Sequence, residues 1–245
     1  MRLIVMTTLI SLAACQTAPA TQQTDNEWSK AGVDALNARI NATSYPDKAK
    51  NVILFVGDGM GISTVTAARI FDGQSRGQSG EENFLAFENF PNVALSKTYN
   101  HDAQVPDSAG TATAMLTGAK TRIGVLGVAH QQPNGLCKGA EQHHLPTLIE
   151  RAEEAGLKTG VVTTTRLTHA TPGSTYAHSP SRDWEDDGQL TDEAREHGCT
   201  DIARQFLEFP YGDGIDVAMG GGRRHFLPTS EADPEYSNRS GRRKD

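Results

Sequence analysis

The sequence predicts an α/β fold, a three-layer α/β/α sandwich around a central, mostly parallel, doubly wound sheet. Three observations predict it. Residues 50–56 contain the continuous apolar run Val-Ile-Leu-Phe-Val, typical of a strand buried on both faces. Segments with apolar residues at helical spacing alternate with further strand-like runs. Glycines punctuate the ends of both kinds of segment. No internal repeat and no second domain is evident.

Taken in order, Trp28, Gly32, Val33, Leu36 and Ile40 suggest a peripheral helix. After the 50–56 strand, Ser63 is placed to cap a helix running through Ala67, Ala68 and Ile70. Residues 72–83 are polar and glycine-rich, a surface loop. A helix is predicted from Ser108 to about Thr117, closed by Gly118. Leu145, Leu148, Ile149, Ala152 and Ala155 recur at helical spacing, with Gly156 as the stop. Residues 159–165 form the next predicted strand. Thr200 or Asp201 caps a helix carrying Ile202, Ala203, Phe206 and Leu207, and 216–219 is a third strand ended by three glycines.

The first residues read as an address rather than as fold. Met1-Arg2 gives a positive start, and the apolar run at 3–12 is well short of the roughly 20 residues that a membrane-spanning helix needs. Leu12-Ala13-Ala14-Cys15 resembles a bacterial lipobox, cleaved ahead of a lipid-modified Cys15; an ordinary secretory signal is the alternative. Gln16 follows in place of the aspartate associated with inner-membrane retention. The expectation is therefore a signal peptide at 1–14, a lipid-anchored tether at 15–27 and one folded domain at 28–245. The protein would be exported, periplasmic or at the cell surface, anchored to the outer membrane by lipid alone.

A net charge of −7 argues against a nucleic-acid-binding surface, which phosphates would require to be basic. With Cys15 lipidated, Cys137 and Cys199 remain, and export favours a disulfide between them over two buried thiols. Closing that loop would stabilise the fold by about 4 kcal/mol in the chain-entropy model.

Ligands of doubly wound sheets gather beyond the carboxyl ends of the strands, and the chemically able residues stand there. Asp58 follows the first strand between Gly57 and Gly59, where a sharp turn lets a carboxylate meet a hard or borderline divalent cation. A dinucleotide fingerprint fails because Ile62 occupies the third glycine position, and there is no Walker A sequence. Ser108, preceded by Asp107, begins a helix whose N-terminus favours an anion. It lacks the Gly-x-Ser-x-Gly elbow of a Ser-His-Asp hydrolase, so activation by a metal fits better. His169 and Thr171 are alternate residues and share a face if the segment is extended. Arg182 offers a planar fork for two phosphate oxygens. Each residue also has a plainer reading: Asp58 as a structural turn, Asp107 and Ser108 as helix caps, and the others as hydrogen-bonded surface groups.

Together these segments resemble the alkaline phosphatase family. The resemblance is carried by residues 51–61, by Val-Pro-Asp-Ser-Ala-Gly within 105–118, by Lys120 and the glycines at 124 and 127, by 169–171, by 176–182 and by 216–228. It implies hydrolysis of small phosphomonoesters through a phosphoserine on Ser108, with two zinc ions and one magnesium ion. Asp58 would bridge the second zinc and the magnesium. Thr171 would bind the magnesium, with His169 beside it through a coordinated water. Arg182 would hold the non-transferred oxygens, oriented by Asp107. Histidine at 169 is similar to animal-type members, where the enterobacterial type has aspartate, and implies weaker magnesium binding. The Cys137 and Cys199 pair likewise resembles an intrachain bridge of animal-type members. Members run to about twice this length and carry further zinc and magnesium ligands in their later half. The resemblance thus implies that the chain is an N-terminal portion of an incomplete sandwich, inactive alone, from a protein that is commonly a homodimer. A related phosphodiesterase or sulfatase, or a lipid-anchored phosphate-binding protein, are the competing readings.

Overall fold

The computed structural model describes residues 27–41 and 49–245. The expected signal peptide, Cys15 and nearly all of the expected tether lie outside the described residues. Contacts divide the chain into two units, one comprising Met1–Leu54 with Arg69–Val93 and the other Phe55–Ala68 with Ala94–Asp245.

In the first unit, α1 spans Glu27–Ile40, as its periodicity predicts. Its apolar stripe of Val33, Leu36 and Ile40 is exposed. Helix α2, Ile62–Ser75, runs through both units; it starts one residue before Ser63, so that serine sits in the first turn instead of capping it.

The second unit carries the α/β character. Strand β1, Gly160–Arg166, pairs in parallel with β2, Val217–Gly221, in the register Gly160 to Val217 and Val162 to Met219. The register shifts before Arg166, which pairs with Gly221. Among the described residues the sheet has these two strands only. The strand expected at 50–56 is not formed there: Val52 and Phe55 are 85% and 86% exposed. Composition gives that run the preference for a buried strand, but ladder hydrogen bonds to a neighbour are what make one. The three-layer sandwich is accordingly not built among the described residues.

The helices begin where capping chemistry starts them. Asp107 is the N-cap of α3, Ser108–Thr117, and its side chain accepts from the Gly110 N–H. Gly118 ends the helix at φ 78°, a left-handed conformation that glycine adopts without strain. Thr147 and Glu150 form a reciprocal capping box at α4, Leu148–Glu154. The short α5, Ala170–Gly173, follows β1 directly. Thr191 caps α6, Asp192–Glu196, and Asp201, of the two candidates, caps α7, Ile202–Leu207.

One buried cluster joins Ala109, Leu126, Ala170, Tyr176, Ala177 and Ile202, and Phe206 packs on it with its ring edge-on to Tyr176 at 5.2 Å. Tyr176 also donates its hydroxyl to the Leu167 carbonyl at 2.9 Å. A second cluster surrounds Trp184 and includes the Cys137–Cys199 disulfide, which the sequence anticipated; its Cα atoms lie 5.9 Å apart. The carboxylate of Glu193 accepts from the Cys137 and Lys138 N–H groups and fixes one end of that bridge.

The bridge closes a separation of 62 residues. Replacing both cysteines by serine should lower the free energy of unfolding by about 4 kcal/mol, measured by denaturant titration. A loss below about 1 kcal/mol would show that the crosslink constrains little in the unfolded chain.

Candidate active site

The site is built where α3, the turn after β1 and the Gly57–Gly59 turn meet within the second unit. The Ser108 hydroxyl, at the first position of α3, lies 2.9 Å from both carboxylate oxygens of Asp58. Thr171 donates to Asp58 Oδ2 at 3.2 Å. One carboxylate therefore gathers two hydroxyls that are 63 residues apart in the chain (171 − 108 = 63).

A second carboxylate organises the other side. Asp107 Oδ1 accepts from the Gly110 N–H at 3.1 Å and from Asn100 Nδ2 at 2.7 Å. Its Oδ2 accepts from the Gly124 N–H at 3.0 Å and from Arg182 Nη1 at 3.0 Å. Burial pushes the Asp107 carboxyl up, but these four hydrogen bonds outweigh it and hold the group below its ordinary range. Asp107 is thus both the cap of α3 and the anchor of the Arg182 guanidinium.

The segment at His169 and Thr171 is a helix start and not an extended strand, so the alternation that would place both on one strand face does not apply. His169 is the N-cap of α5 and Thr171 lies inside it. Thr171 consequently turns to Asp58, while His169 Nε2 faces Arg182 Nη2 at 3.3 Å. Burial, then the guanidinium charges of Arg182 and Arg166, holds the His169 imidazole below its ordinary pKa. A guanidinium donates only, so Nε2 accepts and the proton resides on Nδ1. That Nδ1 is buried without a hydrogen-bond partner.

Two residues at the site escape a reading of the sequence. Asn100 is 2% exposed and holds Asp107, yet in Tyr-Asn-His-Asp it looks like any polar turn residue. Glu185, three residues after Arg182, is also buried. Its carboxylate accepts the Arg166 Nε and Nη2 fork at 2.7 Å each and the Thr168 hydroxyl at 2.6 Å. It thereby ties the end of β1 and the residue before His169 to the segment that bears Arg182. No spacing rule links positions 166, 168 and 185; only the fold does.

Asp58, Ser108 and Thr171 present oxygen donors, which suit a hard cation such as Mg²⁺, and Asp58 with Ser108 also suits part of a zinc site. The Nδ1 of His169, buried without a partner, is a polar atom of the same site whose hydrogen bond is unmade in this structure. The fit is partial: among the described residues no group of three or more His, Cys, Asp or Glu side chains converges for a metal ion.

Comparisons with known proteins point to one family. The family model described as Alkaline phosphatase matches residues 49–245. The chain is 43% identical over 238 residues to the tissue-nonspecific alkaline phosphatase of Gallus gallus, covering 96% of this chain and 45% of that protein. It is 48% identical to an alkaline phosphatase of Gadus morhua, covering 90% and 46%. Among solved structures, alkaline phosphatase from the Antarctic bacterium TAB5 aligns with a TM-score of 0.51 at 29% identity, covering 74% of this chain and 42% of that one. A cold-active enzyme from Shewanella gives 0.50 at 29%, covering 70% and 36%. The chain therefore spans about half the length of the curated relatives it matches.

Burial pushes the Glu185 carboxyl up, but the hydrogen bonds from Arg166 and Thr168, with the Arg166 charge, outweigh it and hold the group below its ordinary range. A carboxylate depressed in the folded state contributes stability above its ordinary pKa, near 4.3, and loses it as pH falls through the folded value. Glu185→Gln should cost about 2 kcal/mol at pH 7 and flatten the acid limb of the stability profile. An acid limb as steep as in wild type would show that Glu185 is not the group being protonated.

Proposed function

The chain belongs to the alkaline phosphatase family, and on that premise we propose that it carries the nucleophile and phosphate-gripping residues of a phosphomonoester hydrolase. The observation that carries this reading is the pairing of Ser108 with Asp58 beside an Arg182 anchored on Asp107.

In this proposal the Ser108 hydroxyl gives up its proton to solvent, and its oxygen attacks phosphorus in line. The new P–O bond to Ser108 forms as the ester P–O bond breaks, and the leaving alkoxide is protonated by solvent. Water then attacks the phosphoserine, releasing inorganic phosphate and restoring the hydroxyl. Arg182 binds two non-transferred oxygens with its planar fork, and Asp107 keeps that fork from swinging away. The N-terminus of α3 faces the developing negative charge. Two zinc ions and one magnesium ion, held in part by Asp58, Ser108 and Thr171 with His169 alongside, would lower the hydroxyl pKa and offset charge on the transferring group.

The proposal extends to the complete doubly wound sandwich, a homodimer, and export with Cys15 as the lipid anchor. The donors described fall short of a filled zinc site, so residues 1–245 by themselves should not turn over phosphate esters.

In a polypeptide joining these residues to a full set of metal ligands, Ser108→Ala should cut zinc-dependent hydrolysis of a chromogenic phosphate ester by at least about 10³-fold. Acid quenching of the unaltered enzyme should trap phosphate on Ser108. Undiminished turnover in Ser108→Ala, or trapped phosphate elsewhere, rules the mechanism out. In the same protein His169→Asp should lower the Mg²⁺ concentration needed for half-maximal activation, because a carboxylate replaces a neutral imidazole. Identical activation curves would remove His169 from the magnesium site.

A further inference from the structure

Asn100 has no role in the reaction just described, yet it is built into the site as tightly as any residue there. It is 2% exposed, and its Nδ2 lies 2.7 Å from Asp107 Oδ1. Its Oδ1 is buried with no hydrogen-bond partner. A buried, unsatisfied acceptor is costly to keep. Flipping the amide would not relieve that cost. It would set the amide oxygen against the Asp107 carboxylate, oxygen facing oxygen, and leave the NH₂ unpaired.

The surroundings are shaped to this one orientation. A Cβ on Gly110 would fall 2.8 Å from both Asn100 Cγ and Oδ1 and 3.0 Å from the Arg122 carbonyl oxygen. Any side chain at 110 would therefore displace Asn100. Gly110 is also the residue whose N–H joins Asn100 on Asp107 Oδ1. With Oδ1 held by these two donors, the carboxylate cannot rotate, and Oδ2 stays aimed at Arg182 Nη1 and the Gly124 N–H.

We propose that Asn100 is a positioning residue that sets the Asp107 carboxylate and, through it, the guanidinium of Arg182, and so governs the grip on the non-transferred phosphate oxygens. The inference rests on the reading of Arg182 as the phosphate ligand. The Ser108 hydroxyl has a further partner of its own in Asp58, so the effect of Asn100 is read on the Arg182 grip.

The test uses the 245-residue chain with ¹⁵N-labelled arginine and asparagine. In the unaltered chain one Asn100 side-chain amide hydrogen should exchange with solvent at least about 10-fold more slowly than a free amide. The Arg182 Nη hydrogens should give separate resonances, because the fork is held. Asn100→Asp, which keeps the shape and removes the donor, should merge those resonances into one averaged signal. It should also weaken binding of inorganic phosphate, followed on the Arg182 signals, by about 10-fold. Gly110→Ala, which leaves Asn100 in the sequence but takes its space, should reproduce both effects. Free-amide exchange at Asn100 in the unaltered chain overturns the proposal without any variant. Unchanged Arg182 resonances in a folded Asn100→Asp chain overturn it as well. Failure of the unaltered chain to bind phosphate counts instead against Arg182 as phosphate ligand, while the Arg182 resonances still decide whether Asn100 positions it.

Discussion

The carboxylate of Asp107 is the constraint on which the site depends. Four donors from four parts of the chain converge on its two oxygens: Asn100, the Gly110 N–H, the Gly124 N–H and Arg182. Each oxygen receives two hydrogen bonds, so the group is saturated and has one orientation. A cap of this kind ordinarily contributes to one helix end. Here it also welds three loops to that end, and the first residue of the helix it caps is the serine. Local helix chemistry and the assembly of the site are the same set of bonds.

Asp58 does a related job with less support. It stands in an exposed turn and is approached by two hydroxyls, and among the described residues neither a guanidinium nor a backbone N–H donates to its oxygens. An anion placed among neutral donors remains free to take up a cation, whereas Asp107 has already spent its lone pairs on the protein. The two carboxylates are thus distinguished by their partners: one fixes an arginine, the other is met by hydroxyls alone among the described residues.

How much of this could be read from the chain divides along physical lines. The helix at Ser108–Thr117 was legible to the residue, because Asp107 and Gly118 terminate it by chemistry confined to adjacent positions. The next helix was legible by its apolar spacing and its stop at Gly156, but its start at Leu148, set by Thr147, was not, and the strands expected at 159–165 and 216–219 lie at Gly160–Arg166 and Val217–Gly221. The run at 50–56 has every local property of a buried strand and is not one here, since pairing depends on what lies alongside. Asp58 meets Ser108 and Thr171, and Arg182 meets Asp107 and His169, through contacts between distant segments; the helix start at α5 was not read from the alternation of His169 and Thr171. Asn100 and Glu185 were invisible because what marks them is burial against distant partners, and their neighbours in sequence say nothing of it.

The covalent bridge from Cys137 to Cys199 encircles β1, α5 and the Arg182 segment, whereas Asp58, Asn100, Asp107 and Ser108 all lie outside it. The two halves of the site therefore belong to different topological compartments of the chain. Inside the ring, His169, Thr171, Arg182 and Glu185 stay within reach of one another even when the polypeptide is unravelled, because the ring limits how far they can diffuse apart. Outside it, the cap on Ser108 needs no such help, for Asp107 and Gly110 are three positions apart. Reduction of the bridge would thus fall unequally, loosening the half that carries Arg182 while the serine keeps its place at the head of its helix.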